Sequence, residues 1–363
     1  MTQAHSTLSA SPVGEKGSTS VEPAPLFAAL DLGTNNCRLL IASPNRGGFR
    51  VVEAFSRIVR LGEGLSLTGR LDDAAQERAI AALRICADKL RRRKPQKVLA
   101  VATQACRFAS NGEAFVARVE AETGLKLRII SPKEEAQLSV AGCLALLDRQ
   151  AHAALVVDVG GGSTELSWVD LTDARMDQVF RLSPDRLPIQ SWISLPLGVV
   201  TLAERFPEGE RGDAVWFRSM VEHVKDALGD FSDADILRPV FDSGRAHLVG
   251  TSGAITSLAG MHLGLARYDR SRVDGLWLTR TDCENAAGTL LGLTADERAA
   301  QPCIGPDRAD LVLAGAAILQ GVQELWPCER VRVADRGLRE GLLLSLIQKG
   351  KTRRRRRRKP RSA

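Results

Sequence analysis

The chain has 363 residues, of which 44% are apolar, 26% charged and only 4% aromatic. This is the balance of a folded globular protein long enough for two domains. The scarcity of aromatics excludes a row of base-stacking platforms, and no apolar run approaches the ~20 residues of a membrane helix. Seven cysteines are scattered and never in Cys-x-x-Cys spacing, which argues against a zinc site or a disulfide framework and predicts reduced thiols in a cytoplasmic protein. The formal charge of +7 is concentrated at one end. Lys351, Arg353 to Arg358, Lys359 and Arg361 supply nine positive charges without an acid, and without them the chain stands at −2.

Residues 1–25 are rich in Ser, Ala and Pro, lack the basic-then-apolar order of a signal peptide, and are expected to form a disordered leader. A first domain is expected over 26–150. Phe27–Leu32, Cys37–Ala42 and Phe49–Phe55 read as strands. Arg57 to Leu71 reads as a loop whose arginines are candidate phosphate ligands. A helix is predicted from Asp72/Asp73 to about Arg92, ended by Pro95. Lys97–Ala102 is a strand, Glu113–Glu122 a helix and Leu125–Ile130 a strand. Ser131, Pro132 and Glu134 then form a capping box worth about 1 kcal/mol. Glu135 is not needed by that cap. It is either a carboxylate placed for the helix dipole or a ligand-facing group at a strand-to-helix junction. Its helix runs to about Leu147.

A second domain is expected over 151–349, followed by a disordered basic tail over 350–363. Leu155–Val159 and Thr164–Val169 are strands. Helices are predicted from Val199 to about Phe206 and over Asp213–Leu228. His247–Gly250 is a strand, Ala254–Leu263 its helix, Arg308-Ala309-Asp310 opens a helix to about Leu325, Val331–Ala334 is a strand and Leu338–Gln348 a last helix. Strands alternating with crossover helices in both halves define an α/β protein with mixed sheets.

The chemistry-bearing motif is Asp158-Val159-Gly160-Gly161-Gly162-Ser163-Thr164-Glu165. A β-branched strand ends in an aspartate. Three glycines then let the backbone approach a ligand without Cβ interference, and exposed N–H groups in such a turn bind anions. Asp158 and Glu165 flank it and suit a hard cation, Mg²⁺ or Mn²⁺. The theme recurs at Asp31-Leu32-Gly33-Thr34-Asn35-Asn36, again after an apolar strand. A third loop, Gly250-Thr251-Ser252-Gly253, follows a strand and opens a helix. Two Asp-tipped loops and a later glycine-hydroxyl loop point to a duplicated domain pair with a phosphate chain between the halves.

These motifs, with Ala102-Thr103-Gln104-Ala105-Cys106-Arg107, Ile130-Ser131-Pro132-Lys133-Glu134-Glu135, Leu195-Pro196-Leu197-Gly198, Arg308-Ala309-Asp310 and Leu338-Arg339-Glu340-Gly341, occur in the order seen in the exopolyphosphatase/guanosine pentaphosphate phosphohydrolase (Ppx/GppA) family, which the chain resembles from about Leu26 to Leu346. The resemblance implies two actin-like (ribonuclease-H-like) domains with the site in the cleft between them. It implies hydrolysis of a terminal phosphoanhydride, in inorganic polyphosphate or in pppGpp. Glu135 falls on the family's catalytic glutamate, Asp158 and Glu165 on residues that bind metal and orient water, and Arg107 on a phosphate-binding arginine. Gly33, Thr34, Asn35, Gly160, Gly161, Gly162, Ser163, Thr164, Gly250, Thr251, Ser252 and Gly253 are the expected phosphate cradle. A homodimer is plausible for the family. Longer members carry a further helical C-terminal part that helps hold long polyphosphate. Here only the basic tail stands in that place, which puts processive action on very long chains in doubt and leaves room for the tail to act as a crude substitute.

Two other readings compete. An ATP-dependent kinase of the same superfamily shares the glycine loops but not the Glu135 motif. A polyanion-binding protein, with RNA or polyphosphate held by Arg353 to Arg358, needs only the tail. The five histidines fall in no motif and are read as structural or exposed.

Overall fold

Alternate residues of an extended strand face opposite ways, and in Phe27–Leu32 all six are buried, so this strand is covered on both faces. The computed structural model describes residues 24–46, 48–172, 179, 182–209, 212–229, 231 and 238–358, with side chains as far as Gln348. The leader over 1–23 and the end over 359–363 lie outside the described residues. Among those described, no helix is long and apolar enough to cross a membrane.

The first sheet comprises β1 (Phe27–Leu32), β2 (Asn36–Asn45), β3 (Gly48–Ile58), β4 (Lys97–Ala102) and β5 (Arg128–Ile129), in the order β3-β2-β1-β4-β5. The first three form an antiparallel meander, and β4 and β5 add in parallel. The second sheet comprises β6 (Ala153–Val159), β7 (Thr164–Asp170), β8 (Ile189–Leu195), β9 (Ala246–Thr251), β10 (Trp277–Thr279) and β11 (Arg330–Ala334), in the order β10-β11-β9-β6-β7-β8. It repeats the plan: an antiparallel β6-β7-β8 meander with β9 and β11 in parallel. Two mixed sheets with one topology are the duplicated, actin-like pair that the sequence predicts.

The helices that matter for the site are α1 (Asp73–Arg93), α2 (Gln104–Phe108), α3 (Gly112–Thr123), α4 (Pro132–Cys143), α5 (Val199–Arg205), α6 (Ala214–Leu228), α7 (Gly253–His262), α8 (Arg280–Leu291), α9 (Val312–Leu325) and α10 (Leu338–Arg358). Asp72 caps α1 through Ala74 N–H at 2.9 Å, and Asp213 caps α6 through Trp216 N–H at 2.7 Å. Each satisfies a backbone donor that the helix start leaves open.

The cores show an exchange. One face of the first sheet (Ala28, Leu30, Leu32) packs on Ile80 and Leu83 of α1 and Phe115 and Val119 of α3. Its other face (Phe27, Ala29, Leu40, Val101) is covered by Leu338, Leu342, Leu343 and Leu346 of α10, from the far end of the chain. Conversely α4, which follows the first sheet in sequence, lays Val140, Ala141 and Cys143 on Val156 and Val249 of the second. The opposite face of the second sheet packs Leu155, Val157 and Leu248 against α6, α7, α8 and α9. The two exchanged helices cross at glycines. A Cβ on Gly142 would stand 2.0 Å from the Gly337 carbonyl oxygen, and one on Gly341 2.0 Å from that of Leu138. Only hydrogen fits at either point.

Several boundaries differ from the sequence reading. The strand expected over 125–130 pairs only at Arg128–Ile129. Arg308-Ala309-Asp310 forms a turn, and the helix begins at Val312. The last helix has the bounds Leu338–Arg358. Strands β8 and β10 were not foreseen.

Candidate active site in the interdomain cleft

The two Asp-tipped loops have the same turn. Gly33 N–H donates to the Asn36 carbonyl at 2.8 Å, and Gly160 N–H to that of Ser163 at 2.9 Å. They meet across the cleft: a Cβ on Gly161 would lie 3.0 Å from Asn35 N, and one on Gly162 2.1 Å from Gln104 Oε1. The second loop is held from behind by the start of α5, where Val199 and Val200 N–H donate to the Gly160 and Gly161 carbonyls at 3.0 and 2.7 Å. The third loop closes the wall. Ser252 Oγ caps α7 by accepting from Ile255 N–H at 2.9 Å, and Thr251 Oγ1 donates to the Arg336 carbonyl at 2.8 Å.

Between these loops lies a cavity of about 340 Å³. Of the predicted residues, Gly33, Thr34, Asn35, Glu135, Asp158, Gly160, Gly161, Gly162, Ser163, Thr251, Ser252 and Gly253 line it. Four do not. Thr164 is fully buried, with its hydroxyl donated to the Leu197 carbonyl at 2.7 Å. Gly250 is a packing glycine inside β9, where a Cβ would meet Ile255 at 2.8 Å. Glu165 sits behind Asp158 on β7, accepting from Ser194 Oγ at 2.7 Å. Arg107 Nη1 donates to the Ile130 carbonyl at 2.6 Å and to Glu135 Oε2 at 3.2 Å. Ser131 caps α4 as predicted, accepting from Glu134 N–H at 3.2 Å, and Glu134 takes both guanidinium nitrogens of Arg128 at 2.6 Å. Glu135 is thereby left for the cleft.

The cleft gathers buried carboxyls, and burial is the main reason that four of them, Glu135, Glu165, Asp158 and Asp31, titrate high. Glu135 is pushed well above the usual range by burial and by Glu165, against the pull of Arg107. Glu165 is raised to about 7 by burial and Asp158, with the Ser194 and Ser163 hydroxyls opposing. Asp158 is raised by burial, opposed by a hydrogen bond from the Ser139 hydroxyl. Asp31 is raised to about 6 by burial, opposed by Arg38 and Arg339.

Sequence reasoning placed Asp31 at a strand tip but gave it no role. Its Oδ1 is buried without a hydrogen-bond partner. The signal was its equivalence to Asp158. Arg38 and Arg308 also line the cavity, and neither guanidinium has a hydrogen bond or ion pair among the described residues. Arg38 lies across β1–β2 from Asp31, which strand alternation could have shown. Arg308 lies over Gly253, the first residue of α7, at about 3.5 Å from where a Cβ would be. Arg60, a candidate phosphate ligand in the 57–71 loop, instead grips Asp310 with two nitrogens at 2.8 and 3.1 Å. No cluster of three or more His, Cys, Asp or Glu able to hold a metal occurs among the described residues. An all-oxygen set with an orphaned carboxylate atom still fits Mg²⁺, which is held by one or two carboxylates and completes its shell with water and phosphate oxygens.

Two actin-like domains with opposed glycine loops and acidic groups between them frame an interdomain cleft. A model of the Ppx/GppA phosphatase family matches residues 40–350, and the chain belongs to that family. It is similar to the Aquifex aeolicus family member, with 28% identity over 90% of this chain and 99% of that one, at a TM-score of 0.71. It is also similar to an exopolyphosphatase-like protein, with 29% identity over 89% and 97% and a TM-score of 0.77. An exopolyphosphatase from Cytophaga hutchinsonii, 22% identical over 90% and 98%, shares the fold at a TM-score of 0.76.

Proposed function

We propose that this phosphatase is an exopolyphosphatase that removes the terminal phosphate of inorganic polyphosphate by attack of water. The observation that carries the reading is Glu135: a buried carboxylate with a raised pKa, lining the cavity between the two Asp-tipped loops and anchored by Arg107. A carboxylate tuned toward neutrality is suited to take a proton from water at working pH. Backbone N–H groups of Gly161–Ser163 and Thr251–Gly253, with Arg38 and Arg308, hold the phosphate oxygens. Asp31 and Asp158 would hold Mg²⁺, with Glu165 behind Asp158. The ion, when bound, offsets charge on the phosphate oxygens. No covalent nucleophile is needed, so the protein's part is positioning and electrostatics. Polyphosphate is favoured over pppGpp because carboxylates, glycine loops and arginines make up most of the wall, with Tyr268 the one aromatic among its lining residues. The name of the exopolyphosphatase-like relative points the same way.

The test is orthophosphate release with Mg²⁺ from polyphosphate and from pppGpp side by side. Polyphosphate should give the higher kcat/KM, and Glu135→Gln should lower kcat by about 10³-fold while retaining binding. Normal turnover by that variant overturns the role of Glu135, and preference for pppGpp overturns the substrate.

A further inference from the structure

Five arginines line the cleft cavity: Arg38, Arg270, Arg308, Arg336 and Arg339. Two of them are engaged by the protein. Arg270 donates to the Asp335 carbonyl and to Glu340, and Arg336 Nε donates to the two Asp274 oxygens at 3.0 and 3.1 Å. Arg339 differs. Its side chain is only 12% exposed, yet it makes no hydrogen bond among the described residues. Its one ion pair among them, with Glu340 Oε1, is 3.9 Å long, beyond hydrogen-bond reach. That oxygen already accepts from Arg270 at 3.2 Å. Burial holds the Arg339 guanidinium below its ordinary range, with Glu340 opposing and the nearby Arg38 adding to the effect. A guanidinium carries five donors, and a charge so enclosed is ordinarily met by acceptors. Here the cavity is where they must come from.

The neighbours of Arg339 show which end of the cavity that is. Its charge acts on Asp31, as does that of Arg38, which is paired with Asp31 across β1–β2. Asp31 and Asp158 in turn act on Glu135. Arg339 therefore stands at the carboxylate end, whereas Arg308 stands at Gly253 on the third loop. The backbone that carries Arg339 is held firmly. Gly337 N–H donates to Glu340 at 2.9 Å, and at Gly341 α10 touches α4, the helix of Glu135. We infer that Arg339 is a further phosphate-binding residue, which with Arg38 brackets the terminal phosphate beside Glu135 and then the orthophosphate set free. Two neighbouring guanidiniums that lack acceptors suit a multiply charged anion between them. The inference rests on the proposed function for the molecule that brings this phosphate in.

The test uses the full chain in Mg²⁺ with orthophosphate as the probe. On the Glu135→Gln background, Arg339→Gln should weaken orthophosphate binding by about tenfold in calorimetry. Arg339→Lys, which keeps the charge without the planar fork, should weaken it by about threefold. With Glu135 in place, Arg339→Gln should raise the KM for polyphosphate by about tenfold and change kcat by less than about threefold. Without phosphate, the Tm of Arg339→Gln should equal or exceed that of its parent, since no hydrogen bond within the protein is lost. With phosphate, its Tm should rise less than the parent's does. A structural role predicts a lower Tm without phosphate and unchanged orthophosphate affinity and KM, and that result overturns the inference. If Arg339→Gln does not fold, Arg339→Lys decides, and unchanged orthophosphate affinity in that variant overturns the inference equally. Failure of the wild type to release orthophosphate from polyphosphate or pppGpp would sink the proposed function, while the orthophosphate titration would still decide Arg339.

Discussion

Asp31 and Asp158 occupy the same place in the two sheets, yet the residue paired across the turn from each has opposite charge: Arg38 opposite Asp31, Glu165 opposite Asp158. The first loop is thus charge-balanced within its own hairpin. The second accumulates negative charge, and its relief comes partly from elsewhere: Ser139 of α4 bonds Asp158, and Arg107 of α2 bonds Glu135. One topology yields a neutral half-site and an acidic half-site. Duplication supplied the scaffold, and two residues at equivalent positions made the halves chemically different.

The largest expected effect comes from removing charge on the acidic side. Asp158→Asn should lower kcat by about 10²–10³-fold in the orthophosphate assay, whereas Arg38→Gln, on the balanced side, should raise KM by about tenfold with a smaller change in kcat. Equal effects on kcat would erase the asymmetry.

Next comes packing. A Cβ on Gly198 would stand 2.5 Å from the Gly161 carbonyl group, while one on Gly33 would be 3.5 Å from the Asn36 oxygen, an ordinary contact. Gly198→Ala should therefore cost about 1–3 kcal/mol in denaturant unfolding, and Gly33→Ala within about 0.5 kcal/mol.

The smallest effect is on pH dependence. Glu135, Asp158, Asp31 and Glu165 titrate above the ordinary 3.8–4.5 of their side chains, Asp31 at about 6 and Glu165 at about 7. The folded state therefore holds protons that the unfolded state has released, and its stability falls as pH rises through that window. In EDTA the Tm should decline from about pH 5 to 7.5, and Glu165→Gln should flatten the decline. Glu53, between Lys89 and Arg93 on the outer face, is lowered to about 2. It acts in the opposite sense, contributing stability above pH ~4.5 that is lost in acid, and exposure keeps that contribution small.

Much of this was legible because its causes are local. An apolar run, an aspartate and glycines announce β1 and β6, and the Ser131-Pro132 cap shows that Glu135 is free. What was not legible depends on distant partners. Arg60 is read as a phosphate ligand until Asp310, 250 positions away, comes into contact with it. Thr164 resembles a cradle hydroxyl until the Leu197 carbonyl accepts from it. Strand β8 was missed because its residues are mostly half-buried and make no apolar run; its partner β7 defines it. Gly142 stands in no motif, and Gly341 stands in Leu338-Arg339-Glu340-Gly341 without any sign of why it is glycine, since the need of both arises only where two helices cross.

That crossing bears on how the chain is made. The apolar face bearing Phe27, Ala29, Leu40 and Val101 is covered in part by Ile130 and Leu138 and completed only by Leu338–Leu346, so a chain emerging from the ribosome carries it incompletely covered until almost the whole sequence has been synthesised. Neither half can finish its core alone, and a nascent chain stalled before Leu338 presents that greasy surface to chaperones.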